Sequence, residues 1–293
     1  MKITNDESIQ SCILRIQAVI DYLKPAELRV ANYILANPHE VLTSTINELA
    51  AKTNTSYATI NRLISRIGYS GFKDLRKNLY HDTLANSTLD FLDVITFSLG
   101  STTSDICKNI YTLSNNVLDE SYALANVDTM DKVASMIVAS KTLCIIGTGL
   151  SGIAARYAYG RFMRIGINCF FDEDCTHYRM KVSLLTKDDV LLAISSSGRS
   201  KIILECAEIA KQNSTEILTL SDYAISPLSQ LGDVNLFTTP RNGSHFMGID
   251  MPLLIGQIYI LDALYMCCCV KMGKKSSELF EKTKGATESE KLR

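Results

Sequence analysis

The 293-residue chain has almost no net charge and lacks the cysteine spacing of zinc-binding and disulfide-bonded proteins. Its 30 lysines and arginines nearly balance 31 aspartates and glutamates, so no acidic or basic bias acts over the whole chain. Its nine cysteines include no C-x-x-C pair, which argues against a zinc cluster or a disulfide framework and favours a reducing cytoplasm. Consecutive helical residues point about 100° apart, so Cys267, Cys268 and Cys269 cannot converge on one ion and are predicted to be small buried residues.

The chain also has little that would direct it out of the cell or into a membrane. Asn5, Asp6 and Glu7 are polar or acidic where a secretory leader is basic and then apolar, so we expect no secretory signal. The apolar segment 247–272 is interrupted by four residues: Asp250, Pro252, Gln257 and Asp262. Because polar groups are costly in hydrocarbon, this segment is predicted to be a buried helix at a core or subunit interface and not a membrane span.

Nucleotide-binding motifs and the usual catalytic constellations are missing as well. The run Gly147-Thr148-Gly149-Leu150-Ser151-Gly152 lacks the third glycine of a dinucleotide fingerprint, and no Gly-Lys-Ser/Thr of a Walker loop follows it. No Ser–His–Asp triad or metal cluster is readable, and the acidic residues 172–174 are interpreted as a solvated loop. We therefore predict no catalytic residue, no cofactor and no metal ion, so that a ligand would be bound without turnover.

Two turns rich in glycine and serine dominate the second half of the chain. Each follows a short apolar run and opens a helical pattern: Gly147–Gly152 follows Leu143–Ile146, and Ser195–Ser200 follows Leu191–Ile194. Neighbouring parallel strands would bring both turns to one sheet edge, where ligands of open α/β sheets bind. Backbone N–H groups, helix N-termini and serine hydroxyls at that edge favour an anion, and we predict a site for a phosphate on a polar small molecule.

The pattern from Asp128 onward alternates between helix and strand. Five strands are predicted, at 143–146, 168–171, 189–195, 216–220 and 234–238, and they indicate an α/β domain with a five-stranded parallel doubly wound sheet. The long apolar helix Met251–Met272 closes this domain. The polar residues 274–293 are predicted to form a frayed tail.

The first 82 residues show helical spacing throughout and predict an all-α domain. Two short helices within Ile46–Ile67, separated by the polar turn 52–55, have the spacing of a helix-turn-helix DNA reader. The outward face of the second helix is predicted to bind DNA through six side chains, Ser56, Tyr57, Thr59, Asn61, Arg62 and Arg66, with Lys73, Arg76 and Lys77 extending the positive surface. A plain helical bundle with a solvated charged face fits the same pattern and stays open on spacing alone.

Three runs in this part, Ile46–Ala50, Ser56–Leu63 and Gly68–Leu75, resemble the N-terminal domain of the RpiR family of bacterial transcriptional regulators. That family joins a helix-turn-helix domain to a C-terminal SIS (sugar isomerase) domain. The two turns of the second half resemble the Gly-x-Gly-x-Ser and Ser-x-Ser-Gly-x-Ser/Thr turns of that domain. The resemblance implies that a sugar phosphate is held by four hydroxyls with help from nearby backbone amides: Ser151, Ser195, Ser197 and Ser200, with the amides near Gly149 and Gly198.

The same resemblance implies a domain order and a set of partners. We expect a DNA-binding domain over 1–82, a linker with an amphipathic helix over 83–127 and a SIS-like domain over 128–273. Ser196 completes the second turn, and His245 is a further candidate contact to the sugar. The expected partners are double-stranded operator DNA, a sugar-phosphate effector and a second or further copy of the chain, as a homodimer or tetramer, without a membrane.

One departure from the family pattern and two other functions remain open on the sequence alone. Leu253-Leu254 stands where the family often has Ser-Arg, so any contact that this arginine makes with ligand or a subunit in relatives is lost here or moved, with Arg241 as the candidate to make it. A phosphosugar isomerase or lyase with an accessory helical domain is the main alternative, and a DNA-architecture protein with an empty α/β domain is another. The sequence does not decide which sugar is bound, which operator is read, or whether transcription is activated or repressed.

Overall fold

The structure is a computed structural model that describes residues 11–85, 101–223, 225–239 and 251–288. These residues form two compact units that divide between Asn109 and Ile110, with the short segment 223–225 grouped with the first unit. The first unit is helical and the second is an α/β sheet domain. Both fold classes agree with the sequence-based prediction.

The first unit contains six α-helices among the described residues. They are α1 Cys12–Val19, which continues as a single 3₁₀ turn Ile20–Tyr22, then α2 Pro25–Ala36, α3 Pro38–Thr43, α4 Ile46–Thr53, α5 Tyr57–Arg66 and α6 Phe72–Ala85. The short helix α3 is absent from the prediction, which only ended α2 at Asn37. Pro38 occupies the first turn of α3, where its missing N–H costs nothing, so the proline that stops one helix starts the next.

Local capping explains the turn between α4 and α5. Thr45 and Glu48 form a reciprocal capping box at the start of α4, and the Ser56 hydroxyl accepts a hydrogen bond from the Thr59 N–H to cap α5. Asn54 ends α4 in the left-handed conformation at φ 48°. Arg29 of α2 donates to the carbonyl oxygens that α4 leaves exposed at its end. Apart from Arg29, the side chains that build the predicted helix-turn-helix geometry are close in sequence.

A long helix runs across the division between the two units. This helix, α7, spans Thr103–Leu124, and it is longer than the predicted segment 105–117. Val117, Ser121 and Leu124 are buried, so its carboxyl-terminal half packs into the α/β unit. Helix α8, Val127–Ala139, follows directly and leads into the first strand.

The second unit is a five-stranded, all-parallel sheet with helices on both faces. Its further elements are β1 Leu143–Gly147, α9 Leu150–Arg164, β2 Cys169–Phe170, α10 Cys175–Ser183, β3 Val190–Ile194, α11 Lys201–Gln212, β4 Glu216–Asp222, α12 Pro227–Leu231, β5 Val234–Thr238, α13 Met251–Met272 and α14 Lys274–Glu288. The strand order is β2-β1-β3-β4-β5, and every pair is parallel. Helices α8, α9 and α13 cover one face, and α10, α11 and α12 cover the other. The predicted doubly wound sheet is confirmed.

Helix α13 is a core helix of this unit, as predicted. Within the described ranges it is the single helix long and apolar enough to cross a membrane, over Leu254–Met272. Its residues Ile260, Leu261 and Leu264 are buried in the same cluster as β1 and α9. Cys268 is buried there too, and burial raises the pKa of its thiol to about 12, so the side chain acts as a small neutral residue. No group of metal ligands occurs among the described residues.

The carboxyl-terminal segment corrects the prediction of a frayed tail. Residues 274–288 form helix α14, which begins after Gly273 turns the chain at φ 60°. The Arg164 guanidinium lies 4.3 Å from the centre of the Phe280 ring, and the Thr283 hydroxyl donates to the Arg164 carbonyl oxygen at 3.0 Å. Leu279 packs against Gly166 of the turn after α9. Leu279, Phe280 and Thr283 thus pack this otherwise charged helix against the end of α9. Because the segment as a whole is polar, its composition alone does not reveal these contacts.

Candidate functional site

The two glycine- and serine-rich turns lie beside each other at the carboxyl edge of the sheet. Strands β1 and β3 are direct neighbours, with Gly147 opposite Ile194, so each turn leaves the sheet at the same level. The Thr148 and Ser200 hydroxyl oxygens are 3.3 Å apart, and those of Ser151 and Ser196 are 3.5 Å apart. The structure therefore brings together the two predicted halves of the anion site.

Three glycines make this close approach possible. A Cβ at Gly147 would lie 2.4 Å from the Ser151 carbonyl oxygen, so only glycine lets α9 start directly above β1. Gly149 and Gly198 have φ values of 59° and 60°, a conformation that glycine adopts without strain. The first N–H groups of α9 and α11 have no partner inside their helices, and both helices start at this edge. Their dipoles and N–H groups favour a bound anion.

Gln257 of α13 ties the two turns together. Its Nε2 donates to the Ser151 hydroxyl oxygen at 3.2 Å and to the Ser196 hydroxyl oxygen at 2.9 Å. The Ser151 oxygen also accepts a hydrogen bond from the Ser196 N–H at 3.3 Å. Gln257 is only 1% exposed, and its Oε1 has no hydrogen-bond partner among the described residues. Sequence reasoning noted this glutamine as an interruption of an apolar helix and missed its place in the site.

The predicted serines differ in how they face the edge. Ser195 and Ser151 are buried, Ser196 and Ser200 are half-buried, and Ser197 is exposed. The Ser197 hydroxyl oxygen accepts a hydrogen bond from the Arg199 N–H at 3.3 Å. Ser200 stands at the N-cap of α11, but its hydroxyl makes no capping bond. The hydroxyls most open to a ligand are thus those of Ser197 and Ser200, with that of Thr148 beside them.

A carboxylate lies farther along the same edge. The Thr239 hydroxyl, just after β5, donates a hydrogen bond to Glu120 of α7, and the Thr239 N–H approaches the Ser121 hydroxyl oxygen at 3.4 Å. Burial raises the pKa of the Glu120 carboxyl above its ordinary value, against the lowering effect of the Thr239 bond. Gly256 of α13 allows this packing, because a Cβ there would lie 2.9 Å from the Ser121 oxygen.

Two loop segments named from the sequence, one as a candidate sugar contact and one as a solvated loop, have different outcomes. His245 and its neighbour Arg241 lie outside the described residues. The acidic loop before α10 is solvent-exposed as interpreted: His177 Nδ1 lies 2.8 Å from Asp172 Oδ2, and the carboxylate raises the pKa of the imidazole. Asp174 caps α10 by accepting a hydrogen bond from the Thr176 N–H at 2.8 Å.

Helix α5 presents the predicted DNA-reading face, with one exception. Ser56, Tyr57, Arg62 and the following Lys73 of α6 are exposed, whereas Asn61 and Arg66 are half-buried. An open groove of about 560 Å³ runs along this face and is lined by Glu27, Tyr57, Ala58, Asn61, Arg62, Ser65 and Arg66. This groove contains four of the predicted DNA contacts and one buried acid, Glu27, that sequence reasoning missed.

Thr59 is the exception, and its prediction as an outward residue is wrong. It is 4% exposed, and its hydroxyl oxygen accepts a hydrogen bond from Arg62 Nη2 at 3.0 Å. The same oxygen lies 3.0 Å from the Ser56 hydroxyl. Thr59 shares the inward side of α5 with Ile60 and Leu63, and it supports Arg62 from below.

Comparisons with known proteins agree with the two units. Residues 11–87 match the helix-turn-helix domain of the rpiR family, and residues 136–260 match the SIS domain. A helix-turn-helix transcriptional regulator of Caldanaerobacter subterraneus is 31% identical over 84% of this chain and 86% of its own length. The regulator YbbH of Bacillus subtilis is 27% identical over 95% of this chain and 97% of its own length.

A solved structure is similar over both units. The NanR protein of Vibrio vulnificus, complexed with ManNAc-6P, aligns with a TM-score of 0.61 and 25% sequence identity. The alignment covers 97% of this chain and 100% of that protein.

Proposed function

The chain belongs to the rpiR family of helix-turn-helix transcriptional regulators, and on that premise we propose that it senses a phosphorylated sugar and thereby controls its own binding to operator DNA. The observation that carries this proposal is the joined pair of turns at one sheet edge, where glycines, hydroxyls and two helix N-termini lie close together. The matched relatives are transcriptional regulators, which agrees with the expected binding without turnover.

The phosphate would bind between the N-termini of α9 and α11. Ser197, Ser200 and Thr148 are the hydroxyls in position to donate to its oxygens, and the first N–H groups of both helices would add donors without adding charge. Ser151 and Ser195 are buried beneath them, so we assign these two a supporting part, with Ser151 held by Gln257. The structural neighbour bound to ManNAc-6P supports a phosphorylated sugar as the ligand class.

DNA would be read by α5. Tyr57, Asn61 and Arg62 line its open groove, and Lys73 adds a cation from α6. Hydroxyl, amide and guanidinium groups are those that contact base edges and phosphates in the major groove. A homodimer would place two such helices about 34–36 Å apart on a near-palindromic operator.

Dimerisation is supported by the outward side of α13. This helix is predominantly apolar, yet Val270 is 77% exposed and Met266 is also exposed in the single chain. Large apolar side chains exposed together on one helix are typical of a surface that another protein covers. We therefore propose a homodimer or tetramer formed through the SIS domain, acting in the cytoplasm where its operator lies. From the sequence we propose a DNA-binding domain over 1–82 and a SIS domain over 128–273; the carboxyl-terminal half of α7, inside the expected linker 83–127, and helix α14 pack with the SIS domain.

A thermal-shift screen with a panel of sugar phosphates tests this function. A ligand that binds only the folded protein stabilises it by RT ln(1 + [L]/Kd), about 2.7 kcal/mol at a hundredfold excess over Kd. One or a few phosphorylated sugars should raise the melting temperature, while the same sugars without phosphate should not. Rapid isomerisation of the stabilising sugar would favour an isomerase, and a flat response across the panel would contradict sugar sensing.

A further inference from the structure

A buried carboxylate lies beneath the exposed face of the DNA-reading helix. Glu27, in the first turn of α2, has a side chain that is 2% exposed, and its Oε2 accepts a hydrogen bond from the Lys24 N–H at 3.2 Å. Its two oxygens also face α5: Oε1 lies 3.8 Å from Arg62 Nε, and Oε2 lies 3.6 Å from Arg66 Nη2. Because Glu27 is buried, it cannot contact DNA itself and can act only through these arginines.

The two arginines are held in different ways. The Arg66 side chain is 26% exposed, and its Nη1 donates to the Tyr22 carbonyl oxygen at 3.4 Å, so most of it is covered. The Arg62 side chain is 63% exposed, although its Nε faces Glu27 and its Nη2 donates to the Thr59 hydroxyl. A guanidinium is a rigid planar fork, so contacts along one edge determine where the other edge points. These two contacts therefore favour one orientation of the Arg62 guanidinium, and the side chain lines the groove.

The charges in this cluster separate two components of DNA affinity. Non-specific affinity follows the number of cations that reach phosphates, whatever their orientation. Base reading depends on orientation, because a guanine edge is recognised by both N–H groups of a fork at once. The buried Glu27 carboxylate beside Arg62 and Arg66 lowers the net charge of the groove by one and restricts the orientation of the exposed Arg62 guanidinium. Glu27 would thus weaken non-specific attraction and sharpen base reading together.

We propose that Glu27 is a positioning residue that determines the DNA specificity of this protein by orienting Arg62 toward a guanine edge. This proposal rests on the proposed DNA-binding function of α5. The proposal predicts that removing this carboxylate, which contacts no base, strengthens binding to unrelated DNA. It also predicts that the protein then discriminates less between its selected duplex and unrelated DNA. A purely structural part for Glu27 predicts equal losses on every duplex, since a loosened fold binds all DNA less well.

The test uses the full-length protein and a duplex that the wild type enriches from a random pool. Fluorescence anisotropy gives the Kd for this duplex and for a scrambled duplex over a range of salt concentrations. In Glu27→Gln we expect tighter binding to the scrambled duplex, a salt slope steeper by about one, and a ratio of the two Kd values that is reduced about tenfold or more. The matched control is Glu40→Gln, which removes a carboxylate paired with Lys52 in the same unit and should leave the ratio unchanged.

A second variant keeps the proposal testable if Glu27→Gln does not fold. Arg62→Lys retains the positive charge and removes the fork, so the ratio should fall about as far while the salt slope stays at the wild-type value. The proposal is overturned if Glu27→Gln is folded and loses affinity equally for both duplexes, or if Arg62→Lys keeps the wild-type ratio. A wild-type protein that enriches no sequence from the pool would contradict DNA reading by α5 itself, and Glu27 with it.

Discussion

At the scale of single residues, the proposed sugar-phosphate site depends on hydroxyls that are not used to hold the protein together. Ser197 is the exposed hydroxyl of the second turn, and its one described contact is with the Arg199 N–H. Ser151, in contrast, is buried between Ser196 and Gln257. Substitutions at the two positions should therefore separate binding from folding.

Ser197→Ala should weaken binding of the sugar phosphate and leave the fold unchanged. A hydrogen bond to a charged group contributes about 1.5–3 kcal/mol, which corresponds to roughly a tenfold to hundredfold increase in Kd. Isothermal titration with the sugar phosphate that gives the largest thermal shift measures this loss. Ser135→Ala, an exposed serine of α8 whose hydroxyl donates within its own helix, is the control and should leave Kd unchanged. Wild-type affinity in Ser197→Ala would remove Ser197 from the site.

Gln257→Leu should lower both stability and ligand affinity. The leucine removes the donors to Ser151 and Ser196 and leaves the buried Ser151 and half-buried Ser196 hydroxyls without that partner, at a cost of about 1–3 kcal/mol. Urea unfolding measures the change, and the midpoint should fall while the slope is retained. Gln212→Leu, at the exposed end of α11, is expected to stay within about 0.5 kcal/mol of the wild type. A Gln257→Leu protein as stable as the wild type would show that the turns do not depend on this bridge.

The Glu120 carboxyl should make stability depend on pH in a defined direction. Its pKa is raised in the folded protein by burial, so the folded state holds this proton more tightly than the unfolded chain does. The contribution of this carboxyl to the free energy of unfolding is fully present at pH values below its pKa in the unfolded chain. That contribution is lost as the pH rises through its pKa in the folded protein. Glu120→Gln, which can still accept the Thr239 hydrogen bond, should therefore gain melting temperature relative to the wild type at pH 8 but not at pH 4.

The control for this prediction is Glu208→Gln, which removes an exposed glutamate of α11 and accounts for the change in net charge. Melting temperatures of the three proteins, taken at both pH values, give the difference directly. The same gain for Glu120→Gln at pH 4 and at pH 8 would refute the part assigned to burial.

At the scale of elements, the turn between β3 and α11 requires glycine at position 198. Gly198 has a φ of 60°, and a Cβ there would lie 2.1 Å from the Ser226 hydroxyl oxygen at the start of α12. Gly198→Ala should destabilise the protein by about 1–3 kcal/mol, because the new methyl group adds strain to a turn packed against another element. Thermal unfolding measures the change.

Gly285→Ala is the matched control for that substitution. Gly285 lies inside helix α14, has no heavy atom within 4 Å of the added Cβ, and should gain about 0.5–1 kcal/mol from better helix propensity. Opposite signs for the two Gly→Ala changes are therefore expected. A neutral Gly198→Ala would show that the turn can relax, and the tight approach of α12 would lose its explanation.

The elements that sequence reasoning predicted correctly are those whose signals are local. The two short helices within Ile46–Ile67 and the five apolar strands all follow from neighbours in the chain. Helix α14 was missed, since it docks through Leu279 and Phe280 onto residues more than a hundred positions earlier. The same limit explains Gln257, whose partners lie on turns that only the folded sheet brings within reach.

The DNA-reading face shows a similar division between local and tertiary signals. Helical periodicity placed Tyr57 and Arg62 on the outside of α5, which the structure bears out. It also placed Thr59 outside, whereas the Ser56 and Arg62 side chains both contact the Thr59 hydroxyl at a buried position. A small hydroxyl residue suits either side of a helix, so only its partners decide its place.

At the scale of the whole molecule, two functions are joined in one chain. The first unit carries the helix-turn-helix domain, and the second carries the SIS domain with the sheet edge proposed to bind the sugar phosphate. A regulator requires that occupancy of one site changes the affinity of the other, and such coupling is reciprocal and typically worth about 1–3 kcal/mol. We propose that this coupling begins at Gln257. This residue links both serine-containing turns to α13, the helix proposed to contact a second copy of the chain.

The most direct test is the affinity for a selected DNA duplex with and without the sugar phosphate that gives the largest thermal shift. Fluorescence anisotropy of the labelled duplex gives Kd in both conditions for the wild type and for Ser197→Ala. We predict that a sugar-phosphate concentration just sufficient to saturate the wild type changes its Kd for DNA by about 5- to 150-fold, and that Ser197→Ala, which binds the sugar phosphate more weakly, shows a much smaller change at the same concentration. An unchanged wild-type Kd, with the sugar phosphate demonstrably bound, would contradict the central claim that this protein is a sugar-phosphate-controlled regulator.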